Sequence, residues 1–132
     1  MMKPQAPLVR DYMTRLPTES ERCETIAEAE ALMAKQQIRH LPVMSGSHLR
    51  GIISHQDILA ARARAGSALD SEPVENLCES DVLTVEPLTR VNEVAQRMLD
   101  RRVGSAVVVD GGFVVGIFTN SDALRVLTER FS

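Results

Sequence analysis

A chain of 132 residues with 15 lysines and arginines against 18 aspartates and glutamates carries a formal charge of −3, so no global field draws it onto nucleic acid or an anionic membrane. Its aromatics are Tyr12, Phe113, Phe118 and Phe131, too few for a platform on which single-stranded bases could stack. The length allows one compact domain or two small ones sharing an interface, and no stretch approaches the roughly 18 apolar residues of a membrane span.

The start, Met1-Met2-Lys3-Pro4-Gln5-Ala6-Pro7, has no apolar signal-peptide segment and reads as a short, loosely held leader, so a soluble cytoplasmic protein is expected. Patterning begins at Leu8-Val9-Arg10-Asp11-Tyr12-Met13, a short helix of one to two turns. Thr25-Ile26-Ala27-Glu28 sets a hydroxyl three residues before a carboxylate, and Ile26, Ala29 and Met33 follow at helical spacing, which predicts an amphipathic helix over 25–36. A strand pair comes next: Arg39 to Met44, a turn at Ser45-Gly46-Ser47, then Leu49 to Ile53. A closing helix runs from Gln56 to Ala63, and 64–73 reads as a linker.

The second half repeats this order. Val74 to Cys78 copies the short helix, Val82-Leu83-Thr84-Val85 is an extended strand, and Val91, Val94, Ala95 and Met98 mark a helix over 90–101 that opens at Thr89. Ser105 to Val109 and Phe113 to Phe118 flank Asp110-Gly111-Gly112, a strong hairpin signal, and a last helix covers Ser121 to Leu127. The two halves share a phrase: Gly51-Ile52-Ile53-Ser54-His55-Gln56-Asp57 and Gly116-Ile117-Phe118-Thr119-Asn120-Ser121-Asp122. One register of 65 residues carries the first onto the second and aligns the apolar helix positions as well, which marks an internal duplication. Two units of about sixty residues are marginal alone, so they are expected to pack together and unfold together.

Ser54-x-x-Asp57 and Thr119-x-x-Asp122 each fit a capping box, in which the hydroxyl takes a backbone N–H and the carboxylate returns one. The same geometry also makes an anion pocket, with free N–H groups, a hydroxyl for phosphate and a carboxylate that can accept both hydroxyls of a ribose diol. The two readings overlap. Cys23 and Cys78 form no C-x-x-C pair, and His40, His48 and His55 have no ligand spacing, so neither disulfide nor metal is suggested. No nucleophile, base or phosphate-loop motif occurs, and no enzyme is expected.

Taken in order, Val9-x-Asp11-x-Met13, the capped helix, Ile38-Arg39-His40-Leu41-Pro42-Val43 and Gly51-Ile-Ile-Ser-x-x-Asp57 resemble the cystathionine-beta-synthase-type (CBS) domain. Two in tandem resemble a Bateman module covering about residues 8–130, with domains at 8–63 and 74–130. The resemblance implies an α/β (α+β) fold of two β-α-β-β-α lobes, with two three-stranded sheets packed about a pseudo-twofold axis and two clefts between them. It further implies a regulatory module, without a required cofactor, that binds AMP, ADP, ATP or another adenosyl ligand such as S-adenosylmethionine or NAD. A homodimer is an implied partner, since related modules pair, and so is a separate effector protein, because the chain ends at Ser132 with no room for an effector of its own. A scaffold that keeps the fold without a ligand is the alternative.

Carried over residue by residue, the resemblance puts Asp122 and Asp57 at the ribose diol and Thr119 and Ser54 at the ribose–phosphate end. Val82, Thr84, Ser105 and Ala106 would line the second cleft around the base, and Arg39 and His40 would approach the phosphates. The Asp122 cleft is expected to bind better, because Pro17-Thr18-Glu19-Ser20 stands in the first half where Val82 to Val85 stands in the second. Pro17 lacks a backbone donor, and Glu19 would repel phosphate.

Overall fold

The structure, a computed structural model, describes residues 5–16 and 23–131. In chain order its elements are β1 (Thr14–Arg15), α1 (Ile26–Gln36), β2 (His40–Ser45), β3 (His48–Ser54), α2 (His55–Ala65), β4 (Thr84–Val85), α3 (Val91–Arg101), β5 (Ser105–Asp110), β6 (Phe113–Thr119) and α4 (Asn120–Arg130). Short 3-10 turns lie at Val9–Asp11, Gly66–Ser71 and Val74–Asn76. No helix among the described residues is long and apolar enough to cross a membrane. The chain divides into two compact units: Leu16–Val82, and Met1–Arg15 joined with Leu83–Ser132.

In the Leu16–Val82 unit, α1 starts where the sequence signals it, with Thr25 Oγ1 accepting the Glu28 N–H at 3.3 Å. It ends at Gln37, whose left-handed backbone returns an N–H to the Met33 carbonyl. Its buried stripe of Ile26, Ala29, Leu32 and Met33 packs with Leu41, Val43, Ile53, Ile58 and Ala61 from the hairpin and α2. The hairpin pairs His40 with Ser54, Leu41 with Ile53 and Pro42 with Ile52.

Residues 64–73, read from their Gly-Ser composition as a linker, are wound and packed. They continue α2 to Ala65 and wind into the Gly66–Ser71 turn, which buries Leu69 in the core of this unit. Arg62 ties the stretch down by bridging Glu30 of α1 and Asp70. The Glu72 carbonyl accepts the Ile26 N–H at 2.9 Å, and the Val74 N–H donates to Glu24. Glu79 then bonds both ways with Ile52, so the lead-in of the second repeat is built onto the hairpin of the first.

The mirror arrangement holds in the other unit. Its sheet has the order β1-β6-β5-β4, with β4 parallel to β5 and the other pairs antiparallel. Val9, fully buried, sits in a core with Leu83, Val85, Val91, Val94, Met98, Ala106, Val108 and Phe118. Its N–H donates to the Thr89 carbonyl at 2.8 Å, and the Val91 N–H donates to that of Pro7. Residues 8–15 therefore pack with the second half and not with the repeat they introduce. Thr89 does not cap α3 as its position suggests; its hydroxyl accepts the Glu86 N–H at 3.2 Å and tightens the turn before the helix, while Arg90 holds the cap position. The first-half counterpart of β4, with Pro17, Thr18, Glu19 and Ser20, lies outside the described residues.

Candidate functional site

Each copy of the repeated phrase leaves the last strand of its hairpin at the hydroxyl residue and enters a helix, so Ser54 and Thr119 are both helix caps in extended backbone. In the second-half unit cross-strand partners share a face of the sheet, which sets Thr14, Ile117, Val107 and Thr84 in one row and Thr119 with Ser105 in the next. Thr14, Thr84, Ser105 and Thr119 thus present four hydroxyls on the face opposite the helix-packed core. Ala106, expected beside the base, is turned away from them. It pairs with Phe118, both fully buried in the core with Val108, because alternation puts 106 and 108 on the face that 105 and 107 do not share. Val82 is half-buried and ends the other unit.

Asp122 is the buried charged residue of the described chain, 6% exposed. Its Oδ2 accepts the Thr119 backbone N–H at 2.9 Å, the carboxylate's part in the capping box that the sequence suggests, and also the Thr119 hydroxyl at 3.3 Å. Its Oδ1 accepts the Arg125 guanidinium at 3.3 Å and the Thr14 hydroxyl at 3.5 Å. Arg125 also donates to the Tyr12 carbonyl at 2.6 Å and lies over the Tyr12 ring, 5.6 Å from its centre. Sequence reasoning missed Thr14, Tyr12 and Arg125. For Arg125 a signal existed, since a cation three residues after Asp122 on a helix is ion-pair spacing, and the register sets Ala60 in its place in the first half.

The first-half copy is built alike and furnished differently. Ser54 Oγ accepts the Asp57 N–H at 3.0 Å, but the exposed Asp57 carboxylate has no hydrogen bond or ion pair among the described residues. The register places Glu79 where the second half has Thr14, Ala60 where it has Arg125 and Leu77 where it has Tyr12. His40 pairs with Ser54 and so shares its face. Arg39, one residue earlier, lines a hollow of about 720 Å³ with Glu30, Gln37 and His55.

Thr84 also borders a hollow of about 830 Å³ lined with Arg10, Glu86, Thr89, Arg97 and Asp110. No group of three or more His, Cys, Asp or Glu side chains able to hold a metal occurs among the described residues.

Comparison with known proteins supplies the context. The family model described as "CBS domain" matches residues 9–64 and 74–129. A crystal structure of the CBS domain pair of protein MJ0100, in complex with 5′-methylthioadenosine and S-adenosyl-L-methionine, is 29% identical and superposes with a TM-score of 0.79, covering 95% of this chain and 98% of that one. A Vibrio cholerae protein to which a part in acetoin utilization is ascribed (AcuB) is 32% identical with a TM-score of 0.75, covering 96% and 93%. The CBS domain-containing protein YhcV of Bacillus subtilis is 26% identical over 86% of this chain and 81% of its own. Other relatives are longer: the chain spans 43% of a Thermofilum pendens protein at 30% identity, and 22% and 24% of two archaeal homoserine O-acetyltransferases.

Proposed function

The chain belongs to the CBS-domain family, and from that premise we propose that it is a regulatory module which binds an adenosyl ligand and passes its occupancy to another protein. The observation that carries this reading is the twice-built strand end and helix start, hydroxyl-x-x-Asp, in a chain 29% identical to a pair crystallised with two adenosyl ligands. Both of those ligands carry a ribose diol, and a carboxylate that accepts two hydroxyls at once suits that diol. Asp57 and Asp122 are the candidate diol acceptors, and Ser54 and Thr119 sit where the ribose meets its 5′ substituent. Thr84 and Ser105, on the face of Thr119, are candidates to meet the base, and His40, on the face of Ser54, is a candidate basic group for a 5′ substituent. AMP, ADP and ATP fit the same diol chemistry. A homodimer that signals to an effector in the cytoplasm completes the proposal, and no reaction is assigned.

The test is a thermal melt with AMP, ADP, ATP, 5′-methylthioadenosine, S-adenosylmethionine and NAD in turn. A ligand at a hundredfold excess over Kd adds about 2.7 kcal/mol of stability and raises the midpoint visibly. A flat panel would mean that the fold serves as a ligand-free scaffold.

A further inference from the structure

We infer that the two aspartates of the repeated phrase are not equivalent: Asp57 takes the diol, while Asp122 is held shut by a latch of Arg125, Tyr12 and Thr14. The inference rests on the adenosyl reading and adds to it which site is open and what closes the other.

A carboxylate offers about four lone-pair positions, and a ribose diol needs two of them. At Asp122 four donors are already in place, from the Thr119 N–H, the Thr119 hydroxyl, Arg125 and the Thr14 hydroxyl, and the group is 6% exposed. None is left for a diol. Two of those donors, Thr119 N–H and hydroxyl, belong to the helix cap and stay with it. The other two are removable: Thr14 lies on the two-residue strand β1, and Arg125 is anchored to the same segment through the Tyr12 carbonyl and ring. Lifting residues 12–15 would free Oδ1 and expose the carboxylate in one motion. At Asp57 the corresponding residues are Glu79, Ala60 and Leu77, none of which can donate a side-chain hydrogen bond to it. Its carboxylate is exposed and has no partner among the described residues.

Titration calorimetry with 5′-methylthioadenosine and with AMP decides the matter. Wild type should bind about one equivalent of whichever probe it accepts, and Asp57→Asn should weaken that event about tenfold or more. Arg125→Ala should raise the stoichiometry to about two, and adding Asp122→Asn to it should remove the gained event. Thr14→Val, which keeps the strand shape, is the milder variant should Arg125→Ala unfold, and faster amide exchange at Ile117 would report its opened latch. Two equal sites in wild type, or binding that survives Asp57→Asn undiminished, overturns the inference while leaving the adenosyl reading intact. Failure of every variant to bind either probe brings down both.

Discussion

In each half the glycine that opens the repeated phrase lies directly under a crossing backbone. A Cβ on Gly51 would stand 2.4 Å from the Glu79 carbonyl oxygen, and Glu79 cannot retreat without breaking its two bonds to Ile52. On Gly116 the nearest atoms would be Met13 Sδ at 2.7 Å and the Thr14 carbonyl at 2.9 Å. Gly51→Ala should therefore cost about 1–3 kcal/mol in urea unfolding, and Gly116→Ala less, because a methionine thioether swings aside more readily than backbone. The two thiols behave as packing groups. Burial pushes both up from the ordinary thiol range, helped at Cys23 by the Glu28 carboxylate. A raised value leaves less thiolate at neutral pH, so iodoacetamide should modify both several-fold more slowly than in the urea-unfolded chain. Equal rates would show that neither is protected. The phrase's carboxylates were legible in the sequence as residue types but only partly as states: Arg125, three residues from Asp122, was within reach of a pattern reading, whereas Tyr12 and Thr14 lie more than a hundred positions away.

Helices and hairpins were the most legible elements because their periods, 3.6 and 2, are set by local geometry. The Thr25 cap, the Asp110-Gly111-Gly112 turn and the alternating strands all occur where pattern puts them. Less legible was anything decided by a distant partner. A run such as Leu8 to Met13 records that Val9 is buried but not against which core, and the duplication makes the wrong core look natural. The stretch 64–73 is legible in part: its Gly, Ser and Asp residues read as a linker, yet Leu69 alone carries the information that it packs. Leu69→Ala should accordingly lower stability by about 2–4 kcal/mol, as for other buried leucines. A loss within experimental error of zero would mean that the Leu69 contact adds nothing to stability.

At the scale of the whole molecule, the repeat in the sequence and the unit in the fold are offset. Each unit takes its last piece from the opposite half: residues 5–15 complete the second-half core, and residues 74–79 complete the first. Val9→Ala should thus speed amide exchange in α3, β5 and β6 while sparing α1, β2 and β3, although Val9 precedes all of the latter in the chain. The opposite pattern would assign the leading segment to the wrong unit. The offset also orders events on the ribosome. At roughly 10 residues per second, about ten seconds pass between the addition of Val9 and that of Phe118, the last large side chain of its core. Through that interval the 3-10 turn at Val9–Asp11 has no core in which to bury Val9, and the unit that closes first is the one begun later.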